Sequence, residues 1–490
     1  MFFNWKKNEE VLKKTVKKCR ERKVVIPTFA EQKNPSLIPA GVKKKLKGVG
    51  LWDVDPVNLF RISWKNNPTE KSGDGLYGDV NYLEIPPELT WVKARIIWLT
   101  GKWFPTGAHK VGAAFGCLVP RLVTGQFDPS TQKAVWPSTG NYCRGGAFDC
   151  ALLACDAIAI LPQNMSKERF EWLKKINTSE IIATPGCESN VKEIYDMCWK
   201  LSKERGDKIV ILNQFEEFGN SLWHYEVTGS AIKEVFDKIK GGKSRLSAYV
   251  SATGSAGTIG AGEYLKKICP TVKIGATEAL QCPTLYLNWW GGHRIEGIGD
   301  KHVPWIHNVR NTDNVIAIDD ENTMRLLRLF NEPVGQKVLE KEGLSRKFIE
   351  QLPQLGISSI CNLLASIKMA KFYEMNEDDV IFTIFTDSAG MYSSRVKELA
   401  EEKGKYTDSA AMIDLERYLW GVGIDWIKQL GYYDQKALHN LKYFTWVEQQ
   451  GKTSEDLDAL WSPDTWDGIY KGTADKLYKL IKEFNQQVGS

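Results

Sequence analysis

The segment Phe104-Pro-Thr-Gly-Ala-His-Lys110-Val-Gly-Ala joins an apolar run at 94–100 to a helical pattern. The apolar run has the length and composition of a strand buried on both faces. A lysine at such an edge is usually a surface residue, but partial desolvation lowers its pKa and favours the amine that forms Schiff bases. Lys110 is therefore the candidate nucleophile, and His109 beside it either tunes that amine or serves packing alone.

The same alternation of strands and helices continues along the chain. Helical patterns follow Gly107, Gly140 and Ser166, and strands separated by helices indicate parallel sheets. The predicted fold class is α/β, with two open parallel-sheet units and a ligand cleft between them. The predicted strands lie at 94–100, 134–136, 157–161, 181–183, 246–251, 273–277 and 380–385.

The division of the chain follows its changes in composition. Residues 1–75 are basic and punctuated by proline and glycine, and we expect an extension that packs on the core. Residues 76–400 form the predicted catalytic core, with a smaller mobile unit at about 105–240 and a larger unit from about 76–104 and 241–400. Residues 401–490 have helical spacing and many aromatic residues, which predicts a helical C-terminal extension.

The composition is that of an ordinary globular protein, with 43% hydrophobic and 26% charged residues among 490. The formal net charge is +5, and residues 6–23 alone hold nine Lys or Arg against three Glu. Within that segment Leu12, Val16 and Cys19 recur at helical spacing, which favours a solvated amphipathic helix over a nucleic-acid or membrane-binding segment.

The cysteines and the hydropathy bear on metal binding, membrane association and the cellular compartment. Ten cysteines are scattered without a C-x-x-C pair or a histidine at zinc-finger spacing, so no metal site is expected. No stretch approaches the roughly 20 apolar residues of a membrane span, and we expect no membrane partner. A reduced, cytoplasmic setting is the prediction.

A second strand-to-helix junction lies at Pro137-Ser-Thr-Gly-Asn-Tyr-Cys-Arg-Gly-Gly146. Free backbone N–H groups at a helix start form a site for a carboxylate, and the Ser138 and Thr139 hydroxyls add donors. In isolation the segment is a helix N-cap with a tight turn.

A third junction lies at Thr253-Gly-Ser-Ala-Gly-Thr-Ile259, where small residues let the backbone close around a phosphate. The loop lacks the lysine of a nucleotide-binding P-loop and the full G-x-G-x-x-G dinucleotide pattern, so a monophosphate fits better than a nucleotide.

The fourth junction is Thr386-Asp-Ser-Ala-Gly390, which follows a predicted strand and brings Asp387 or Ser388 to the same sheet edge. Each of the four segments alone is a weak signal. Together they supply a Schiff-base lysine, a carboxylate cradle, a phosphate cradle and a polar partner for a ring nitrogen, which is the set that pyridoxal phosphate needs.

The chain resembles the fold-type II pyridoxal-phosphate enzymes over roughly residues 80–400. This superfamily includes cysteine synthase, cystathionine β-synthase, threonine dehydratase and tryptophan synthase β. Pro105-Thr-Gly-Ala-His-Lys110 is similar to the family's lysine motif in its tryptophan synthase β form, which implies the Schiff-base role for Lys110. Ser138-Thr-Gly-Asn-Tyr142 resembles the loop that binds the substrate carboxylate, which implies substrate contacts for Ser138, Thr139, Gly140 and Asn141 and a contact of Asn141 with the cofactor's ring hydroxyl.

Three further segments extend the resemblance. Gly254-Ser-Ala-Gly-Thr258 is similar to the phosphate loop G-T-G-G-T, which implies cofactor contacts for Gly254, Ser255, Ala256, Gly257 and Thr258. Asn213-Gln-Phe with His224-Tyr-Glu-x-Thr-Gly229 resembles a cysteine synthase stretch that places Gln214 near the substrate. Arg294-Ile-Glu-Gly-Ile-Gly299 through Pro304 matches a further segment of those enzymes.

The resemblance implies the chemistry. Lys110 is expected to remove the α-proton after the amino acid displaces it, and loss of the β-substituent leaves an enzyme-bound aminoacrylate. This predicts β-elimination or β-replacement on a serine- or cysteine-type amino acid, of cysteine synthase or cysteine desulfhydrase type. Ser388 resembles the ring-nitrogen partner of cystathionine β-synthase, and a serine there leaves the nitrogen unprotonated. A homodimer is expected from the family.

Departures from the pattern keep two alternatives open. The Gly-Asn-x-x-Arg-Gly pattern that includes Arg144 is closer to diaminopropionate ammonia-lyases, so an ammonia-lyase of that or the serine/threonine type is one alternative. A non-catalytic cofactor-binding subunit is the other, and the intact Lys110 speaks against it. Trp289 and Trp290 are candidates for the substrate wall or for packing.

Overall fold

A computed structural model describes residues 3–68, 76–176, 180–187 and 189–489. Its strands form one sheet of seven and one sheet of four within those residues. In chain order they are β1 (Tyr82–Ile85), β2 (Arg95–Thr100), β3 (Lys133–Pro137), β4 (Asp156–Pro162), β5 (Glu180–Thr184), β6 (Ile209–Ile211), β7 (Arg245–Ala252), β8 (Lys273–Ala279), β9 (Asn314–Ile318), β10 (Asp379–Phe385) and β11 (Ile427–Gln429).

Both sheets are parallel in their centres. The larger sheet has the order β1-β2-β10-β7-β8-β9-β11, and only its edge strands β1 and β11 run antiparallel to their neighbours. The smaller sheet, β5-β4-β3-β6, is parallel throughout. The central strands β9 and β10 are buried along their whole length, as strands covered on both faces must be.

The predicted α/β class with two parallel-sheet units is confirmed. All seven predicted runs are strands of these sheets. Four strands were not predicted, namely β1, β6, β9 and β11. Three of them lie at sheet edges and have partly exposed residues, so they lack the apolar run that marks a central strand.

The helices in the described part of the chain are α1 (Glu9–Glu21), α2 (Phe29–Lys33), α3 (Ala40–Leu46), α4 (Pro87–Thr90), α5 (Lys110–Thr124), α6 (Asn141–Leu152), α7 (Lys167–Lys175), α8 (Val191–Arg205), α9 (Phe218–Trp223), α10 (Gly229–Ile239), α11 (Gly260–Ile268), α12 (Thr284–Leu287), α13 (Asp320–Asn331), α14 (Pro333–Lys341), α15 (Arg346–Ile349), α16 (Ile357–Phe372), α17 (Ser393–Lys403), α18 (Asp408–Leu415), α19 (Tyr432–Lys442), α20 (Ser454–Ala459), α21 (Pro463–Tyr470) and α22 (Thr473–Val488).

The strand ends position the site. Helix α5 follows β2, α6 follows β3 and α11 follows β7, so the loops before these helices all lie at carboxyl ends of parallel strands. That edge is where open α/β sheets bind ligands. Helix α5 is apolar on nearly all sides and is buried over almost its whole length, which fixes the start of the helix within the core.

Both terminal segments pack on the core beside α5. Helix α1 buries Leu12, Val16 and Cys19, the three residues whose spacing predicts it. Its neighbour α22 is joined to it where Arg20 donates to the carbonyl of Val488 at 3.2 Å. Asn485 of α22 hydrogen bonds the backbone N and O of Ile26 at 3.1 and 2.9 Å. The domain limits given above stay a prediction.

No single helix among the described residues has the length and apolar composition to cross a membrane. One bent pair, Arg346–Gln354 with Ile357–Phe372, meets that test of length and composition when its two helices are taken together.

Candidate active site

Lys110 is the first residue of α5 and lies beside the loop that follows β7. Its amine donates to the Ser255 hydroxyl at 3.1 Å. Burial lowers the pKa of Lys110 to about 8, against the negative charge of Asp300, which raises it. The backbone enters the helix through Thr106 and Gly107, both with positive φ (68° and 69°), a conformation that costs a threonine free energy and holds Lys110 at the sheet edge.

The loop 253–258 is held by hydroxyl groups and close packing. Ser251 donates to the Thr258 hydroxyl at 2.6 Å, and Thr253 donates to the carbonyl of Thr277 at 3.0 Å. A Cβ at Gly257 would clash with the Asn220 amide. Ala256 has φ of 60°, a left-handed conformation that favours glycine and explains why the related motif has glycine there.

Asn220 is a site residue that the sequence analysis missed. It is fully buried in α9, and its side-chain amide donates to the Ser255 hydroxyl and to the carbonyl of Gln214, both at 3.0 Å. It thereby joins the loop 253–258 to the segment of Gln214. No motif contains Asn220, because it lies between the segments 213–215 and 224–229 and belongs to neither.

The loop 138–141 lies between β3 and α6. The Ser138 hydroxyl accepts from the Gly140 N–H at 3.0 Å, and the backbone of Gly140 has φ of 152°. A Cβ at Gly140 would clash with the guanidinium of Arg169, which is fully buried behind the loop. The loop therefore combines the N-terminus of a twelve-residue helix with a buried positive charge, which favours an anion.

Arg144 is the second buried cation near this loop. It donates to the Asn141 side-chain oxygen at 3.2 Å and to the carbonyl of Thr106 at 2.7 Å. Its guanidinium lies over the ring of Trp172 at 4.8 Å. Burial, together with the charge of Arg169, lowers the pKa of Arg144 to about 10. These contacts join α6 to the turn before Lys110, so Arg144 has a structural role.

The turn after β10 holds Asp387 and Ser388. The Asp387 carboxylate accepts from the Asn141 amide at 2.7 Å and from the Tyr392 hydroxyl at 2.6 Å. Burial raises the pKa of Asp387, while Arg169 and these hydrogen bonds oppose the shift. Ser388 is buried beside it at 9% exposure.

A cluster of ion pairs connects the two sheets next to the site. Arg169 of α7 pairs with Glu296, and Glu296 also accepts from Arg395 of α17 at 2.6 Å. Glu168 accepts from both the backbone N–H and the hydroxyl of Ser394 at 2.8 Å. Helix α7 packs on α6, which covers β3 and β4 of the smaller sheet, and α17 follows β10 of the larger sheet. These contacts therefore join the two sheet units.

His109 is packed and neutral. It is fully buried, its Nε2 lies 3.2 Å from the Thr386 hydroxyl, and its ring contacts those of Trp64 and His224. Burial lowers the pKa of His109 well below its usual value, and the charge of Lys110 adds to this shift. Of the sequence-based alternatives for His109, these contacts favour packing.

Gln214 and the tryptophan pair lie in different surroundings. Gln214 is buried at 4% exposure, and its carbonyl accepts from Asn220 within the site. Trp289 and Trp290 are 68% and 59% exposed, so neither forms a closed wall around the site in this structure.

The residues present fit pyridoxal phosphate. The amine of Lys110 is in hydrogen-bond contact with the loop 253–258, which has the features of a phosphate site. The loop 138–141, which has the features of a carboxylate site, precedes α6, and α6 packs against α5. At Gly254 an added Cβ would lie 3.2 Å from the carbonyl oxygen of Gly297, a close approach that glycine avoids. Lys110, Ser255, Gly257 and Asn141 are the residues that would hold the cofactor.

Comparisons with known proteins agree with this site. The family model described as "Pyridoxal-phosphate dependent enzyme" matches residues 102–339. The chain is 28% identical to the cysteine synthase of Staphylococcus aureus over 291 residues, which is 59% of this chain and 84% of that protein. It is 29% identical to a probable cysteine synthase of Bacillus subtilis over 327 residues, 65% of this chain and 94% of that one. The crystal structure of the cysteine synthase of Entamoeba histolytica has the same fold, with a TM-score of 0.57, 23% identity, and coverage of 70% and 93% of the two chains.

The fold and the site define a pyridoxal-phosphate-dependent enzyme. Within that class the family model and the relatives support a fold-type II enzyme, of the superfamily that contains cysteine synthase and cystathionine β-synthase.

Proposed function

We propose that the protein catalyses β-elimination or β-replacement on a serine- or cysteine-type amino acid with pyridoxal phosphate. The observation that carries this proposal is the position of the Lys110 amine, which contacts Ser255 of the loop 253–258 while the loop 138–141 offers a carboxylate site. Cysteine synthases are among the relatives of the chain, which supports the same reaction class.

Lys110 is the proposed base. A lysine with a pKa of about 8 has a usable fraction of free amine near neutral pH, which an ordinary lysine lacks. Its Nζ takes the proton from the α-carbon of the substrate and later returns it. The cofactor, once bound, supplies an electron-withdrawing ring that stabilises negative charge at that carbon.

The loop 138–141 orients the substrate. Its backbone N–H groups and the Ser138 and Thr139 hydroxyls bind the carboxylate, and the buried Arg169 behind Gly140 adds a favourable charge. A carboxylate fixed there turns the α-hydrogen toward Lys110. We propose that the unit around the smaller sheet, roughly 105–240, closes over the substrate and excludes water.

Ser388 is the proposed partner of the ring nitrogen. The neighbouring Asp387 carboxylate is already engaged by Asn141 and Tyr392, at 2.7 and 2.6 Å. A neutral hydroxyl leaves the ring nitrogen unprotonated, which limits delocalisation into the ring and suits direct departure of a β-substituent. Asn141, held by Asp387 and Arg144, is positioned to contact the ring hydroxyl.

The ammonia-lyase alternative rested on the pattern that includes Arg144. Arg144 is fully buried and its guanidinium bonds Asn141 and the carbonyl of Thr106. Because its guanidinium is engaged in these hydrogen bonds within the protein, Arg144 gives no reason to expect a substrate with a second charged group.

Product analysis tests the proposal. The purified protein loaded with pyridoxal phosphate is incubated with O-acetylserine and sulfide, with cysteine alone, with serine and with diaminopropionate. We expect cysteine from the first mixture or sulfide release from the second, and no product from Lys110→Ala. Ammonia and a keto acid formed from diaminopropionate alone would contradict the proposal, as would a cofactor-loaded protein that converts none of these.

We further propose that the protein is a cytoplasmic homodimer. All ten cysteines are free thiols, eight of them buried, which is consistent with a reducing compartment. Equilibrium sedimentation of the holoenzyme tests the dimer, and a monomer at micromolar concentration would contradict it.

A further inference from the structure

The segment after β10 holds the amide of Asn141 through a pair of buried side chains. Nδ2 of Asn141 donates to Oδ2 of Asp387 at 2.7 Å, and the Tyr392 hydroxyl donates to the same oxygen at 2.6 Å. Asp387 and Tyr392 are fully buried, and Asn141 is 6% exposed. Because water has little access to these groups, a donor that loses its acceptor here finds no replacement.

Close packing fixes the position of the Asp387 carboxylate. The carbonyl of Asp387 accepts from the Gly356 N–H at 3.1 Å, and an added Cβ at Gly356 would clash with Oδ1 of the carboxylate. The carboxylate is thus packed on one oxygen and hydrogen bonded on the other. Turning it would break the hydrogen bonds with Asn141 and Tyr392 together.

The oxygen of the Asn141 amide has a different partner. Oδ1 accepts from the guanidinium of Arg144 at 3.2 Å, and Arg144 also donates to the carbonyl of Thr106, in the turn before Lys110, at 2.7 Å. In the reversed orientation the amide oxygen would face the Asp387 carboxylate, and the NH2 group would face the guanidinium. Two acceptors and two donors would then be paired, so the amide has one orientation, and its remaining donor is the second N–H of Nδ2.

The contacts that fix this orientation join elements of the two sheets. Arg169 of α7 donates to the Tyr392 hydroxyl at 3.0 Å, and its Cζ lies 5.3 Å from the centroid of the Tyr392 ring. Arg169 also pairs with Glu296, which lies between β8 and β9. Asn141 begins α6, which covers the smaller sheet, whereas Tyr392 follows β10 of the larger sheet. The orientation of the Asn141 amide therefore depends on contact between the two sheet units.

We propose that Tyr392 is a positioning residue for the cofactor: through Asp387 it orients the Asn141 amide so that an N–H, rather than the amide oxygen, donates to the ring hydroxyl of pyridoxal phosphate. This inference rests on the proposed function, which assigns the ring contact to Asn141, and deepens it. A donor stabilises the deprotonated form of the ring hydroxyl, and a hydrogen bond to a charged oxygen is stronger than one between neutral groups. An amide without the Tyr392–Asp387 pair is free to turn its oxygen to the ring, which weakens the contact.

Two cofactor analogues without an aldehyde test the inference by binding alone. Pyridoxine 5′-phosphate has the ring hydroxyl and its 3-deoxy analogue lacks it, so the ratio of their dissociation constants measures the contact to the hydroxyl. Calorimetric titration of the full-length, cofactor-free protein gives both constants. Tyr392→Phe removes one oxygen and keeps the ring beside Arg169. We expect it to bind pyridoxine 5′-phosphate about 10-fold more weakly and the 3-deoxy analogue within about 2-fold of the wild type.

Further variants separate a positioning role from a structural one. Asn141→Ala should remove the preference for the ring hydroxyl, and Tyr392→Phe added to it should reduce that preference no further, because both changes act on one hydrogen bond. Tyr406→Phe is the matched control. The buried Tyr406 hydroxyl donates to the Asp414 carboxylate of α18 at 2.7 Å, and neither residue belongs to the loops of the site. This variant should keep both dissociation constants of the wild type.

The outcomes distinguish the role of Tyr392 from the proposed function. Equal weakening of both analogues in Tyr392→Phe would show a structural effect and overturn the inference, as would unchanged binding of both. A wild type that binds the two analogues equally well would also overturn it, since the hydroxyl contact would then be absent. In these three cases the proposed reaction stands. A wild type that binds neither analogue contradicts the proposed function and the inference together.

Discussion

The loop 253–258 and the loop 138–141 both follow a parallel strand beside Lys110, yet they are held by different forces. The first is uncharged along its length and depends on hydroxyl contacts and on the absence of a Cβ at Gly257. The second has the buried guanidinium of Arg169 behind it, and Arg169 pairs with Glu296 of the segment between β8 and β9.

The difference follows from what each loop is proposed to do. A cofactor phosphate stays bound through many turnovers, and a site made by local packing is rigid and preorganised. A substrate carboxylate enters and leaves, and a loop held by ion pairs between two sheets is able to close when those pairs form. Substitutions in the loop 253–258 should therefore weaken the binding of the cofactor. Substitutions in the loop 138–141 should destabilise the closed conformation.

Arg169→Met should give the largest effect. It leaves Glu296 buried without one of its partners, and breaking a buried ion pair costs about 3–5 kcal/mol. The free energy of unfolding from urea denaturation measures this loss. The control is Arg205→Met, since the pair of Arg205 with Glu180 is about a third exposed and a surface pair contributes about 0–1 kcal/mol. If the free energy of unfolding falls equally in the two variants, the buried ion pair contributes no more to stability than the surface pair.

The reactivity of Lys110 tests whether both loops together exclude water. Burial lowers its pKa to about 8, so the unfolded chain binds more protons than the folded chain between about pH 8 and the ordinary lysine value. As the pH rises through that window, the fraction of Lys110 in the free-amine form should therefore increase. The stability of the cofactor-free protein should increase with it. Acetylation of Lys110 as a function of pH, read by peptide mass spectrometry, gives the midpoint. A midpoint at the value of exposed lysines would refute the buried site.

Gly257→Ala tests the packing of the first loop. The new methyl group meets the Asn220 amide, and overpacking of this kind costs about 1–3 kcal/mol. We expect weaker binding of pyridoxal phosphate with the fold retained, measured by equilibrium titration of the cofactor absorbance. Gly242→Ala, where nothing lies within 4 Å of the new Cβ, should bind as the wild type does. Unchanged cofactor affinity in Gly257→Ala would show that the loop is not held by this contact.

Ser388→Ala should have the smallest effect. It removes the hydrogen bond that we propose between Ser388 and the ring nitrogen, a net loss of about 1 kcal/mol, and we expect the absorption spectrum of the bound cofactor to shift. A spectrum that changes with Asp387→Ala and not with Ser388→Ala would reverse the assignment of the ring-nitrogen partner.

The sequence predicts those parts of the molecule whose signal is local. Central strands such as β2 and β10 are continuous apolar runs because both of their faces are buried, and all of the predicted runs are strands. The short edge strands β1, β6 and β11 carry no such signal. Contiguous motifs likewise predict Lys110 and the loop 253–258 as candidate site residues.

The missed site residues come together only in three dimensions. Asn220 reaches Ser255 across 35 positions of sequence, and Arg169 reaches Tyr392 across 223. A single sequence holds no spacing that connects such residues, because the contacts depend on how the two sheets pack.

Peptide mapping identifies the lysine that holds the cofactor. The protein is purified, loaded with pyridoxal phosphate, reduced with borohydride, digested and examined by peptide mass spectrometry. The expected result is one pyridoxyl group per chain, attached to Lys110. A group attached to another lysine, or a protein that takes up no cofactor, would contradict it.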